Sequence, residues 1–186
     1  MNEKGCSREE VLALLAGYRA RDCPHSHILS SMCTVPHEIA LSAHELFTAT
    51  NLGDPGLFPG AAEIERMLIS ELGSLLHGIN IGGYATSGGT EANIQAVRIA
   101  AKLHPTEKPN IVVPASAHFS FDKTSDLLGV EVRYAPYKKG EYVVDTEAMS
   151  HLIDKNTVAL AAVAGNTEYG VIDDVPAVAK LAQEHD

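Results

Sequence analysis

Tyr84-Ala-Thr-Ser87-Gly88-Gly89-Thr90-Glu91-Ala92-Asn93 joins a short apolar run to a helical pattern, Ala92, Ile94, Ala96, Val97, Ile99, Ala100, Ala101 and Leu103, that stops at Pro105. Paired glycines let the main chain come close to a ligand, and a helix start presents unpaired N–H groups with a partial positive charge. Together they form a cup for a phosphate. The familiar nucleotide signatures do not fit: no Gly-Lys-Ser/Thr follows the loop, and Gly82-Gly83 with Gly88 lacks the dinucleotide spacing. Taken alone, the stretch also fits an ordinary strand-to-helix turn of an α/β fold.

Outward from this loop the pattern alternates. Strands are expected at 83–86, 111–114, 130–134, 141–144 and 157–163, and helices from Thr90, over 121–128, after the cap Asp145 and after Asp174. That alternation implies an α/β fold with a mainly parallel sheet and helices on both faces. Upstream the chain is helical. Ser7-Arg8-Glu9-Glu10 forms a capping box ahead of Val11, Leu12, Leu14, Leu15 and Tyr18. Pro36 opens a second helix with Ile39, Ala43, Leu46 and Phe47. A turn-rich loop over 51–60 precedes a third, with Ile64, Leu68, Leu72, Leu75 and Leu76, closed by Gly78. The division expected is a helical arm over 1–78 and a sheet domain over 79–186.

The 186 residues, 45% hydrophobic, are enough for a buried core. A net charge of −10 with scattered Lys and Arg argues against nucleic acid and anionic membranes as partners. Cys6, Cys23 and Cys33 are odd in number and lack C-x-x-C spacing, which fits a reducing cytoplasm. His25-Ser26-His27 beside these cysteines matches no common zinc spacing, so no metal is assigned. No apolar run reaches membrane-spanning length, and the charged start is unlike a secretion signal.

In parallel sheets ligands sit beyond the carboxyl ends of the strands. There the sequence places three polar loops: the phosphate cup, Ala115-Ser116-Ala117-His118-Phe119-Ser120-Phe121-Asp122-Lys123, and Ala164-Gly165-Asn166-Thr167-Glu168-Tyr169-Gly170. A lone histidine is more often structural than catalytic, and the position of His118 among these loops favours function.

In this order, Thr86-Ser-Gly-Gly-Thr-Glu-Ala-Asn93, His118-Phe-Ser-Phe-Asp-Lys123 and Gly165-Asn-Thr-Glu-Tyr-Gly-Val-Ile-Asp-Asp174 resemble the motifs of the pyridoxal-phosphate-dependent group II amino acid decarboxylases. Ser31-Met-Cys-Thr-Val-Pro-His37 and Asn51-Leu-Gly-Asp-Pro-Gly-Leu-Phe-Pro59 most resemble the archaeal L-tyrosine/L-aspartate decarboxylase branch. The resemblance implies an aspartate-aminotransferase-like fold (fold type I), with pyridoxal 5′-phosphate as cofactor. Gly89 and Thr90 would hold its phosphate, with Ser87 and Gly88 shaping the turn. His118 would stack on the pyridine ring, with a possible part in proton transfer, and Thr167 would approach the ring hydroxyl or the substrate carboxylate. The cofactor would serve as the electron sink for loss of CO₂ from Cα.

The same resemblance implies a carboxylate on the ring nitrogen and a lysine that carries the cofactor covalently, both later in the family pattern than the segment ending at Asp174. Lys123 belongs to the histidine motif, and neither Asp173 nor Asp174 matches the ring-nitrogen position. The expectation is therefore an apparently truncated chain: the N-terminal half of a decarboxylase, ending inside the cofactor domain and inactive alone. Two alternatives stand beside it, a non-catalytic interaction module and a carbon–carbon lyase of the sphingosine-phosphate-lyase type. The substrate pocket is expected to draw on residues 30–37 and on a second subunit of a homodimer. The helical arm either clasps that subunit or packs on its own domain. Tyrosine, aspartate and glutamate remain open as substrates.

Overall fold

The structure, a computed structural model, describes residues 4–29, 34–54 and 56–185. Ser30, Ser31 and Cys33 of the expected pocket segment, and Pro55 of the turn-rich loop, lie outside the described residues. The chain divides into two compact units, Met1–Gly82 and Gly83–Asp186.

The first unit is helical. In α1 (Arg8–Arg19) the Ser7 hydroxyl accepts the Glu10 N–H at 3.2 Å, and Glu10 Oε2 accepts the Ser7 N–H at 2.7 Å, the reciprocal cap expected from the sequence. A single 3₁₀ turn (His25–His27) precedes α2 (Glu38–Leu46). Pro36 does not open α2; His37 caps it, its Nδ1 accepting the Ile39 N–H at 3.2 Å. The proline at a helix start is Pro59, which opens α3 (Pro59–Leu75) inside the stretch expected to be loop.

Gly78 does not take the left-handed position expected of a closing glycine. His77 does, at φ 57°, and the Gly78 N–H reaches back to the Gly73 carbonyl at 2.9 Å. Gly78 is small for another reason: a Cβ there, or on Gly73, would overlap the Ile81 side chain. Neither α1 nor α2 buries a residue, and Leu14 and Ile39 stand 58% and 67% exposed.

The second unit carries the sheet. Its elements are α4 (Gly89–Leu103), β1 (Asn110–Pro114), α5 (Ser120–Leu128), β2 (Glu131–Ala135), α6 (Thr146–Ser150), β3 (Thr157–Leu160) and α7 (Val175–Gln183). The strands are parallel in the order β2-β1-β3, with Val112 opposite Arg133 on one side and Leu160 on the other. Side chains alternate across β1. Ile111 and Val113 pack with Val97 of α4, Val130 and Val158, and Val112 packs with Met149 of α6 and Val178 of α7. Helices therefore cover both faces, and each fully buried Val or Ile contributes roughly 1.5–3 kcal/mol of transfer free energy.

Three expected strands differ. Residues 83–86 form no strand, so the glycine loop is entered from irregular chain. Residues 141–144 contribute one antiparallel bridge, Tyr137 to Val144. β3 stops at Leu160: Ala161 still donates to the Val112 carbonyl at 2.9 Å, but Val163 turns its N–H to the Asp173 carboxylate. The polar amino edge of the sheet is tied by Asn110, fully buried, which donates to Asp154 at 2.9 Å and accepts from the Thr157 hydroxyl at 2.7 Å. None of the helices among the described residues is long and apolar enough to cross a membrane.

Candidate active site at the carboxyl edge of the sheet

The glycine loop is held from within. Glu91, in the first turn of α4, bends back so that its carboxylate accepts both the Ser87 N–H at 2.8 Å and the Ser87 hydroxyl at 2.6 Å. Those bonds, the hydroxyl first, hold Glu91 below the usual carboxylate range, so it stays ionised and occupied. Ser87 is thereby spent on the turn, and Thr86 Oγ1 donates to the Gly88 carbonyl at 3.1 Å. Gly88 caps α4 in extended backbone, with φ 164°. The amides of Gly89 and Thr90, as the first of the helix, face no acceptor within it. A Cβ on either Gly88 or Gly89 would meet no heavy atom within 4 Å. Open space, free amides and a hydroxyl make a donor set that fits a phosphate ester.

His118 follows β1 after the short turn Ala115-Ser116-Ala117. Its Nδ1 accepts the Ser120 N–H at 3.2 Å, which in a neutral imidazole leaves the proton on Nε2. The ring lies half-buried, 4.0 Å from Phe119 between centroids and tilted by 35°. Lys123 does not point freely: its ammonium sits 4.8 Å from the Phe119 ring centroid. Ser116, two residues before the histidine, buries an Oγ that has no hydrogen-bond partner among the described residues.

Thr167 rides on a pinned loop. The loop is closed by an antiparallel bridge between Ala164 and Ile172 and turns at Gly165 (φ 99°) and Gly170 (φ 67°), values that side-chain-bearing residues rarely adopt. Asn166, 5% exposed, fastens it: its side chain accepts the Tyr169 N–H at 2.9 Å and donates to the Tyr142 carbonyl at 3.2 Å. Tyr169 then stacks on Tyr142 at 3.9 Å between centroids. Thr167 itself is exposed at the loop tip.

Because β1 and β3 are parallel neighbours, the His118 and Thr167 loops leave the sheet at the same edge. The helix that the glycine loop opens is tied to the histidine turn by a hydrogen bond that the motifs alone did not indicate: Asn93 Nδ2 donates to Ser120 Oγ at 2.8 Å. Asn166 and Asp173 were missed as well. Their signal is a polar side chain flanked by turn residues where a strand should continue, which resembles ordinary loop composition until burial is known.

A phosphate-fitting helix start, an imidazole and a hydroxyl loop on one edge of a parallel sheet define an α/β domain for a phosphorylated cofactor. A family profile described as aminotransferase class-V matches residues 84–186, and the chain belongs to that family, whose cofactor is pyridoxal 5′-phosphate. The resemblance to the group II decarboxylases holds beyond the motifs. The chain is 63% identical over 187 residues to a probable L-tyrosine/L-aspartate decarboxylase of Methanocorpusculum labreanum, covering 100% of this chain and 51% of that protein. It superposes on the sphingosine-1-phosphate lyase Bpss2021 of Burkholderia pseudomallei with a TM-score of 0.83 at 28% identity, over 99% of this chain and 46% of the lyase. It shares its fold with the glutamate decarboxylase of Lactobacillus brevis, with a TM-score of 0.80 at 19% identity, over 100% of this chain and 46% of that one. The chain spans about half the length of the curated relatives it matches.

Proposed function

We propose that this chain is the N-terminal half of a cytoplasmic, pyridoxal-phosphate-dependent decarboxylase that converts L-tyrosine or L-aspartate to its amine and CO₂. The observation that carries the reading is the convergence of the His118 and Thr167 loops at the carboxyl edge of adjacent parallel strands, with the glycine loop tied to the histidine turn. The similarity to probable tyrosine/aspartate decarboxylases supports it.

On this reading residues 83–186 form the first part of the cofactor domain. The Gly89 and Thr90 amides and the Thr90 hydroxyl bind the phosphate, while Ser87, committed to Glu91, shapes the turn. When bound, the cofactor supplies an electron sink for the pair left on Cα as CO₂ departs. His118 would stack on the ring, limit its tilt and exclude water, and the Nε2–H left by its contact with Ser120 would be the group that moves a proton at the reacting carbon. Thr167 would offer its hydroxyl to the ring oxygen or the substrate carboxylate. The exposed apolar faces of α1 and α2 support a role for the arm in a homodimer. The lysine and the ring-nitrogen carboxylate come from outside residues 1–186, so this chain alone binds cofactor weakly and turns nothing over.

The test is product analysis on the full natural chain supplied with pyridoxal phosphate and each of L-tyrosine, L-aspartate and L-glutamate. Stoichiometric CO₂ and amine from tyrosine or aspartate support the reading. Cleavage of a phosphorylated amino alcohol without CO₂ release replaces it with the lyase alternative, which the superposition on the Burkholderia lyase makes the second reading. Steady CO₂ release by the 186-residue chain alone contradicts the division of labour.

A further inference from the structure

We infer that Asn93 is a positioning residue that sets the distance between the phosphate cup and the imidazole of His118, acting through Ser120. This rests on the reading above and adds a residue to it.

Asn93 stands one helical turn into α4, the helix whose first residues form the cup, and its Nδ2 donates to Ser120 Oγ at 2.8 Å. Ser120 is fully buried at the start of α5 and held on three sides. Its hydroxyl takes the Asn93 proton, its carbonyl takes the Thr124 hydroxyl at 2.8 Å, and its N–H goes to His118 Nδ1 at 3.2 Å. Thr124 is fully buried too. The cup and the imidazole sit on separate elements, α4 and the turn after β1, and this chain of bonds fixes one against the other. It also fixes the tautomer: a neutral ring that accepts at Nδ1 carries its proton on Nε2. A ring-stacking group must hold its position to fractions of an ångström, and buried polar links of this kind supply such rigidity.

A double-mutant design on the full natural chain tests the inference, read as pyridoxal phosphate dissociation constant and visible circular dichroism of the bound cofactor. Asn93→Ala and Ser120→Ala are each expected to weaken cofactor binding about tenfold and to change the dichroic band. In a His118→Ala background, Asn93→Ala is expected to change affinity less than twofold, because its effect passes through the missing ring. An equal loss in that background overturns the inference, since a merely structural Asn93 acts whether or not the imidazole is present. Unchanged affinity and dichroism in both single variants also overturn it. Should Ser120→Ala fail to fold, the half-buried Asn93 position carries the test alone. A full natural chain that takes up no cofactor overturns the decarboxylase reading and this inference together, whereas uptake with indifferent variants overturns this inference only.

Discussion

Asp173 Oδ1 accepts the main-chain N–H of Val144 at 2.8 Å, and its other oxygen accepts the N–H of Val163 at the same distance. The carboxylate is 4% exposed, so it closes two frayed chain ends from inside the sheet's carboxyl edge. One end is the single bridge at Val144, and the other is the chain leaving β3 towards Thr167. Removing it leaves two N–H groups without acceptors. Asp173→Ala should destabilise the unit by about 3 kcal/mol, and Asp173→Asn should restore only part of it, because its amide oxygen can accept one N–H while its NH2 sets donor against donor at the other. Urea unfolding midpoints measure both; a change under about 0.5 kcal/mol contradicts the assignment.

Gly89 tests the cup separately from the fold. An added Cβ meets nothing within 4 Å, so Gly89→Ala should leave the melting temperature unchanged or slightly raised, as alanine is the better helix former. On the proposed reading the same methyl stands where the phosphate approaches. Cofactor affinity, followed by equilibrium titration of the full natural chain, should fall about tenfold or more. Wild-type affinity in this variant would place the phosphate elsewhere.

The amino edge of the sheet predicts an acid response. The Asn110 hydrogen bond first, then the Asn156 N–H and Arg133, hold the Asp154 carboxyl at about 2, against an ordinary 3.8. A folded-state value below the unfolded one means a contribution that is complete above about 4 and is lost as pH falls towards 2. The stability difference between wild type and Asp154→Asn should therefore shrink across that interval. A difference that stays constant from pH 5 to 2 is the contrary result.

At the alkaline end the marker is Tyr134 on β2. Burial, then the hydrogen bond from its hydroxyl to Asp122 of α5, push the phenol up to about 12 from 10.0. The folded state keeps a proton that the unfolded state releases, so this contribution is intact below about 10 and declines as pH rises towards 12. In an ultraviolet phenolate titration of the folded protein, Tyr134→Phe should remove a step near 12, and an unchanged curve there is the contrary result.

The parallel sheet was legible because Ile111, Val112, Val113 and the Val158 strand are apolar runs of strand length between helical patterns, and periodicity reports burial on both faces. The caps at Ser7, Asp145 and Asp174 were legible because they are local chemistry: each side chain accepts an N–H three residues on. Residues 83–86 misled because Gly83-Tyr84-Ala85-Thr86 has strand composition yet joins no sheet among the described residues, and joining a sheet is a property of the fold rather than of the segment. The same holds for 161–163, where the competing acceptor, Asp173, lies ten residues away from Val163. Asn93 was visible within its motif, but its role depends on Ser120, 27 residues distant, and no spacing rule reaches that far.

On the proposed reading the cofactor's phosphate and ring are held by residues 87–90, 118 and 167, while its covalent lysine lies outside residues 1–186. Borohydride reduction of the full natural chain loaded with pyridoxal phosphate, followed by peptide mass spectrometry, tests it most directly. One stoichiometric label is expected on a lysine beyond residue 186, with only diffuse labelling when the 186-residue chain is treated alone. A single stoichiometric label within residues 1–186, at Lys123 for instance, would contradict it.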